Sequence, residues 1–444
     1  MSNPAQTTPR TSLRGSPDRL KTSIAAGIGT SVENYDFIAY GTASALYFGA
    51  VFFPESDRFI GTLLSFATLA VGFLMRPLGG AVGGYFADRF GRKPVLVAAM
   101  LVMGGATFLI GLLPTYATVG VLAPILLVII RMIQGLAFGA EWGGAITMAY
   151  EHAPANRRGM YSAIPQAGNP LGIALASAMF VISSGLEGDW QWRLPFLLSA
   201  VLVIVALIVR SRLSESPEFE AAKASGETVK NPFLSAIRND WKSILRVVSL
   251  RIVESFTYYS TATYLLSYLT ERHPDIRPLA LGAITAASII AIFVTFTAGA
   301  ITDRIGRKPL YIGGSIAAML FAFPMYLLTN DAVPALVILT FIIGIGVIHA
   351  TLTGTQGSLL TEQFGTSTRT SGASLGYQIA ASIGGFAPFI AALMVGLFGW
   401  PGASLVVLLA AAIGLVGILT TRETWGREQR EHVATQLAEE DARR

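Results

Sequence analysis

The chain has 444 residues, of which 52% are hydrophobic and only 13% are charged. So much apolar side chain excludes an ordinary soluble domain and favours a polytopic membrane protein. The chain has no cysteine, which excludes disulfides and thiolate metal sites, and a net charge of +5 does not indicate nucleic-acid binding.

Twelve apolar runs are each long enough to cross a hydrocarbon core, which takes about 20 helical residues. They follow a polar, basic segment at residues 1–21, which lacks the apolar core of a signal peptide and is predicted to stay as an N-terminal tail. Six runs fill residues 22–211 and six fill 241–421. The polar stretch 212–240 is predicted to be a cytoplasmic linker with short surface helices, and 422–444 a C-terminal tail. The predicted helices cover residues 22–50, 59–87, 94–114, 119–149, 160–184, 192–211, 243–270, 278–301, 309–329, 333–361, 371–397 and 400–421.

The positions of Lys and Arg predict the orientation of these helices. If the N-terminus is cytoplasmic, most of the 32 basic residues lie in cytoplasmic segments or at their helix ends. Basic residues are enriched on the cytoplasmic side of membrane proteins. We therefore expect a multi-pass protein of the cytoplasmic membrane with both termini inside. The basic residues left outside are Arg58, Arg193, Arg272 and Arg277.

One heptapeptide occurs twice, as DRFGRKP at residues 88–94 and as DRIGRKP at 303–309, between the second and third predicted helices of each half. Its glycine suits a reversal of the chain, and its aspartate can accept hydrogen bonds at a neighbouring helix N-terminus. The alternative to a gating role is that the motif only sets the orientation of the neighbouring helices in the membrane. Its presence at matching places in both halves disfavours this alternative. The predicted gating residues are Asp88, Arg89, Gly91, Arg92, Asp303, Arg304, Gly306 and Arg307.

These loops resemble the motif between helices 2 and 3, and between helices 8 and 9, of the major facilitator superfamily, and residues 131–135 (RMIQG) resemble its helix 4 motif. The subfamily of metabolite:proton symporters is similar at residues 33–37, 76–80, 139–144, 192–196, 369–372 and 376–378. Its shikimate-permease branch is similar at residues 251–254 and 377–378. The resemblance implies an all-α major facilitator fold of twelve transmembrane helices in two pseudo-symmetric six-helix bundles. It also implies alternating access to a substrate site near the membrane midplane.

Two acidic residues lie within helix 1. Glu33 and Asp36 share one helical face with Tyr40. A carboxylate at mid-bilayer costs about 2.5–3.5 kcal/mol, so two of them favour a site that binds and releases a proton. Permanent pairing with arginines is the alternative.

Helix 4 places Arg131, Gln134, Phe138 and Glu141 on one stripe. The family resemblance links Arg131 and Gln134 to a coupling motif, while a structural ion pair stays open. The predicted proton-coupling residues are Glu33, Asp36, Arg131 and Glu141.

Helix 7 carries Arg251 and Glu254 three residues apart, a spacing at which the two can neutralise each other. If Arg251 instead faces the cavity, its planar donor fork suits a carboxylate, as does that of Arg76. Interhelical packing is the alternative role for the uncharged candidates. The predicted substrate-binding residues are Tyr40, Arg76, Gln134, Gln166, Asn169, Arg251, Glu254, Tyr258, His349, Tyr377 and Gln378.

No phosphate-binding loop or metal-ligand spacing is present in the sequence, so we expect a transporter without cofactor rather than an enzyme. The expected function is proton symport of a small organic acid, such as a shikimate-like one, by a monomer in the lipid bilayer that binds no nucleic acid. The alternatives are uptake of another mono-, di- or tricarboxylate, or a proline or betaine carrier, although the tail at 422–444 is shorter than in such relatives. A membrane scaffold or sensor is a third.

Overall fold

A computed structural model describes residues 17–90, 92–139, 146, 149–150, 153–211, 232–365, 369–421 and 423–425. All regular structure in these ranges is helical, so the all-α prediction is confirmed. We number the long helical rods α1–α12 in chain order. The first six are α1, Pro17–Ala43 with Ser44–Phe48 and Gly49–Phe52; α2, Arg58–Leu74 with Arg76–Phe90; α3, Arg92–Leu112; α4, Leu122–Gly139; α5, Arg158–Gln166 with Gly168–Ser183; and α6, Trp190–Ser211.

The second six rods form the C-terminal part of the chain. Where helix 7 was expected to begin at residue 243, the observed helix begins at Pro232 and is interrupted at Asp240, whose φ of -117° and ψ of 19° are not helical. The second six are α7, Pro232–Tyr258 with Tyr259–Tyr264 and Leu265–Arg272; α8, Arg277–Ile305; α9, Arg307–Phe321; α10, Pro334–Phe341 with Ile342–His349 and Ala350–Thr361; α11, Arg369–Gly384 with Ala387–Phe398; and α12, Trp400–Thr420.

Eight helical spans of the described residues are long and apolar enough to cross a membrane. Neither α1 nor α7 is among them, and these two helices carry the buried charges Asp36, Arg251 and Glu254. The eight spans are Arg58–Gly80, Pro94–Leu112, Leu122–Gly139, Arg158–Ser183, Pro274–Ile305, Pro334–Thr361, Ser371–Phe398 and Trp400–Thr420.

Helix packing brings these two charged helices to the centre of the molecule. Helix α1 packs along α5 and α6, and α7 packs along α11 and α12. Helix α5 contacts α8, and α2 contacts α11, so the first six helices join the last six along two seams. The buried side chains of the centre therefore come from both parts of the chain.

Three rods widen into π-helical turns, at Ser44–Phe48 in α1, Tyr259–Tyr264 in α7 and Ile342–His349 in α10. Such turns are rare and occur frequently at functional sites, because they shift the side chains that follow them. The turn in α7 directly follows Tyr258, and the turn in α10 ends with His349. Both are predicted site residues.

Candidate functional site

Three arginines converge in the interior of the bundle, from α2, α4 and α7. Arg131 is 0% exposed, Arg76 4% and Arg251 7%. Arg76 lies within electrostatic range of both others. Buried charges must be compensated by hydrogen bonds, opposite charges or aromatic faces, and each of the three arginines is compensated differently.

The Asp36 carboxylate of α1 is fully buried, and neither of its oxygens accepts a hydrogen bond of normal geometry from a described residue. The Thr107 hydroxyl of α3 lies close enough to interact with this carboxylate. Arg131 of α4 and the buried Glu33 also lie near it, but Asp36 forms no ion pair with Arg131. Because a buried carboxylate without a donor is costly, Asp36 is suited to bind a proton or a donor group of a ligand.

Arg131 uses only part of its guanidinium. Its Nη1 donates to Oε1 of Gln134, whose Nε2 donates to the Thr107 hydroxyl at 2.6 Å. The guanidinium lies 4.1 Å from the ring centres of both Phe37 and Tyr40, which stabilise it through cation–π contact. Its Nε and Nη2 donate to no described residue, so donors are left over for a ligand.

Arg76 lies among three phenylalanine rings. Its guanidinium carbon is 3.8 Å from the ring centre of Phe37, 4.0 Å from that of Phe73 and 3.8 Å from that of Phe138. Within the described ranges it forms no hydrogen bond and no ion pair. Aromatic faces attract a cation without using its N–H donors, so the donors of Arg76 are available to an anion.

Arg251 and Glu254 form an ion pair on α7, which is the internal neutralisation that their spacing allows. Arg251 also donates from Nη1 to Oε1 of Gln356 at 2.8 Å and from Nη2 to the hydroxyl of Tyr377 at 2.6 Å. Most of its donors are therefore committed to α10 and α11, unlike those of Arg76.

His349 of α10 completes this second cluster. Its Nε2 lies 2.8 Å from Oε1 of Glu254, which also accepts a hydrogen bond from Thr353 at 3.2 Å. The ring of Tyr258 lies 5.0 Å from that of His349, and Nδ1 of His349 has no partner among the described residues. The sequence does not indicate that a histidine so far along the chain meets Glu254.

The remaining substrate candidates differ in their surroundings. Gln166 of α5 donates to the Thr353 carbonyl at 3.4 Å and so joins the two parts of the chain. The Gln378 amide is buried, and neither its oxygen nor its nitrogen has a described partner. Tyr40 donates to Thr68 at 2.7 Å, Asn169 is half-buried, and Glu141 lies outside the described residues.

The second copy of the repeated motif joins α8 to the start of α5. Asp303 accepts hydrogen bonds from the backbone N–H groups of Gly159 at 2.7 Å and Met160 at 2.9 Å. Arg307 pairs with Asp303 at 3.3 Å and with Glu362 of α10 at 3.0 Å. This is the kind of helix N-terminus contact that the sequence predicts for Asp303.

Two further motif residues have defined positions. Gly306 has φ +95°, which a residue with a side chain rarely adopts, and Arg304 is exposed. In the first copy, Gly91 and the side chains of Asp88, Arg89 and Arg92 lie outside the described residues.

The chain segment after α12 also contacts this motif. The Glu423 carboxylate accepts hydrogen bonds from the backbone N–H groups of Arg307 at 3.1 Å and Lys308 at 2.9 Å, at the start of α9. Trp425 Nε1 donates to the Asp303 carbonyl at 3.0 Å. Glu423 and Glu362 are not among the residues predicted from the sequence, although both are acidic and lie near helix ends beside basic loops.

The opposite end of the bundle is also joined across the two parts of the chain. Thr62 of α2 donates to Glu271 of α7 at 3.0 Å, and Thr285 of α8 donates to Ser177 of α5 at 2.9 Å. With contacts at both ends, the central charged residues are shielded from bulk solvent in this conformation.

The described residues form twelve long helical rods around a charged, buried centre, an arrangement typical of a membrane transporter. The sequence profile of the Major Facilitator Superfamily matches residues 36–387, and the chain belongs to this superfamily. It is 37% identical over 406 residues to the Shikimate transporter of Escherichia coli, covering 89% of this chain and 93% of the relative.

Two other similarities support the same family. The chain is 34% identical over 424 residues to the Proline/betaine transporter of Salmonella typhimurium, covering 92% of this chain and 84% of the relative. The solved structure of the proton:xylose symporter XylE bound to 6-bromo-6-deoxy-D-glucose matches with a TM-score of 0.69 at 18% identity, covering 92% of this chain and 97% of that one. At that identity the likeness concerns the fold, and it agrees with the predicted major facilitator architecture.

Proposed function

We propose that this transporter is a proton-coupled symporter that imports a small organic acid, with a shikimate-like acid as the first candidate. The observation that carries the proposal is the Asp36 carboxylate, which is fully buried beside Arg131 and neither forms an ion pair with it nor accepts a hydrogen bond of normal geometry from a described residue. Arg76, a second guanidinium with free donors, lies within electrostatic range of Arg131. A carboxylate that can bind a proton, Asp36, is thus close to two guanidinium groups that can bind an anion, those of Arg131 and Arg76.

The coupling follows from charge balance. While Asp36 is ionised, it attracts Arg131 and repels a substrate carboxylate, so anion binding is weak. When Asp36 takes a proton, the positive charges of Arg131 and Arg76 are no longer offset by it and attract the anion. Proton and substrate therefore bind together where protons are plentiful, and loss of the proton on the other side releases the acid.

Import also needs the site to open to one side at a time. We place both termini and both repeated loops on the cytoplasmic side of the inner membrane, with the two six-helix units at 22–211 and 241–421. The 212–240 linker and the terminal segments 1–21 and 422–444 lie outside these units. Rocking of one unit against the other breaks the Asp303 contacts to α5 when the site opens inward.

The test is uptake by purified protein in proteoliposomes. An inward proton gradient is expected to drive shikimate accumulation, and Asp36→Asn is expected to abolish the gradient-driven part while substrate counterflow continues. Asp57→Asn is the matched control, because Asp57 is an exposed helix cap whose acceptor oxygen asparagine retains. Uptake that ignores the gradient, or an Asp36→Asn protein that responds like the native one, contradicts the proposal.

A second candidate is a zwitterion carrier for proline or betaine-type osmolytes. It is favoured by the three rings of Phe37, Phe73 and Phe138, which already stabilise a guanidinium and have the chemistry that recognises quaternary ammonium groups. The same vesicles distinguish the candidates: glycine betaine uptake that exceeds shikimate uptake, and that Phe138→Leu lowers, favours the osmolyte.

A further inference from the structure

A groove of about 460 Å³ lies on the outer surface of the bundle between α7 and α12. Its walls are mostly apolar and are formed by side chains on the outside of the bundle, with Leu409 and Val416 61% exposed. The groove is lined by Leu245, Arg246, Ser249, Leu409, Ala412, Ile413, Val416, Gly417 and Thr420.

The groove is as long as one layer of the bilayer core. From Leu409 to Thr420 the lining follows α12 over twelve residues, and eleven steps of 1.5 Å span about 16 Å. Half of a hydrocarbon core is about 15 Å thick. Helices α7 and α12 pack closely at one end of the groove, because Gly417 has no side chain and Ser249 occupies the space beside it. The groove is therefore a depression between two packed helices.

One end of the groove is positively charged. Arg246 is half-buried in the lining and forms no hydrogen bond or ion pair through its side chain with any described residue. Lys242 and Trp241 lie one turn earlier on α7, and Arg238 lies one turn before them. Tryptophan and basic residues at a helix end are typical of the lipid headgroup region.

The hydroxyls at this end do not supply donors. Ser249 donates to the Arg246 carbonyl at 2.7 Å, and Thr420 donates to the Gly417 carbonyl at 2.9 Å. A phosphate diester accepts hydrogen bonds and cannot donate them, so the Arg246 guanidinium is the group in the lining that suits it.

We propose that this groove binds one anionic phospholipid, with an acyl chain along Leu409, Ile413 and Val416 and the phosphate on Arg246. An uncharged surface of the same shape would take any lipid tail. The basic end adds a preference for a net negative headgroup, because each basic residue near the membrane surface attracts anionic lipid.

The test is native mass spectrometry of the purified full-length protein, titrated with phosphatidylglycerol and with phosphatidylcholine of the same acyl chains. We expect the first phosphatidylglycerol to bind about fivefold more tightly than the first phosphatidylcholine. Arg246→Gln is expected to remove this preference. Arg58→Gln, the same charge change at an exposed site at the start of α2, away from the groove, is expected to keep it.

A second pair of variants tests the acyl-chain part of the site. Ile413→Trp fills the groove and is expected to weaken binding of the first phosphatidylglycerol, whereas Leu405→Trp, on the same helix outside the lining, is not. Equal binding of the two lipids by the native protein, or equal effects of Arg246→Gln and Arg58→Gln, overturns the charge assignment. Unchanged binding by a folded Ile413→Trp protein overturns the groove.

Discussion

His349 Nε2 lies 2.8 Å from Glu254 Oε1, on a carboxylate that also pairs with Arg251 one turn earlier in α7. All three side chains are buried, so each depends on the others to balance its charge or satisfy its hydrogen bonds. Glu254→Gln leaves the Arg251 charge without its counter-charge. Because breaking a buried ion pair costs about 3–5 kcal/mol, we expect a large loss of thermal stability in detergent, measured by a melting scan.

The double variant Arg251→Gln with Glu254→Gln is the control for this assignment. Since it removes both charges together, it is expected to be more stable than Glu254→Gln alone. A double variant that loses the sum of the two single effects would show that the pair is not coupled in this way.

Asp303 joins the two parts of the chain through both of its carboxylate oxygens, which accept N–H groups at the start of α5. Asparagine offers one acceptor and places an amide NH₂ against the second N–H. Hydrogen bonds to a charged group contribute about 1.5–3 kcal/mol, so Asp303→Asn is expected to open this end of the bundle about tenfold more often.

The chain has no native cysteine, so a single Ser162→Cys can report this opening by its rate of maleimide labelling. Ser162 is fully buried close to the start of α5. The control is Asp275→Asn, on an exposed turn before α8. Labelling that is equally slow in Asp303→Asn and in the control would contradict a latch at Asp303.

Much of this fold is predictable because a membrane leaves the backbone few choices. Apolar runs of the right length must be helical to satisfy their own N–H and C=O groups, and the two copies of the motif mark equivalent loops. The spacing of Arg251 and Glu254 also makes their pairing a predicted alternative, since three residues place side chains on one face.

Partners from other helices are not predictable in this way. Helical periodicity tells which face of a helix is buried, but not which residue of another helix lies opposite it. The rings of Phe37, Phe73 and Phe138 come from three helices, and in sequence each is an ordinary apolar residue. The same limit applies to Thr107, a lone hydroxyl in an apolar run that receives the Gln134 hydrogen bond.

Gly72 of α2 makes the room that Arg131 of α4 occupies. A Cβ at this position would collide with the Nε and Cδ atoms of Arg131, which is fully buried. Gly72→Ala is therefore expected to displace the guanidinium from Gln134 and to cost about 1–3 kcal/mol through overpacking. Both the melting temperature and proton-driven uptake should fall, because Arg131 is the cation nearest to Asp36 in the proposed coupling.

Gly105 of α3 provides the matched substitution, since a Cβ there would meet no atom within 4 Å. Alanine is a better helix former than glycine by about 1 kcal/mol, so Gly105→Ala should leave the melting temperature equal or slightly higher. Uptake by Gly105→Ala should match the native protein, since its added methyl group contacts nothing near Arg131. If the two alanine variants lose stability and uptake equally, the effect belongs to helix glycines in general, and the specific contact between position 72 and Arg131 is not what supports the site.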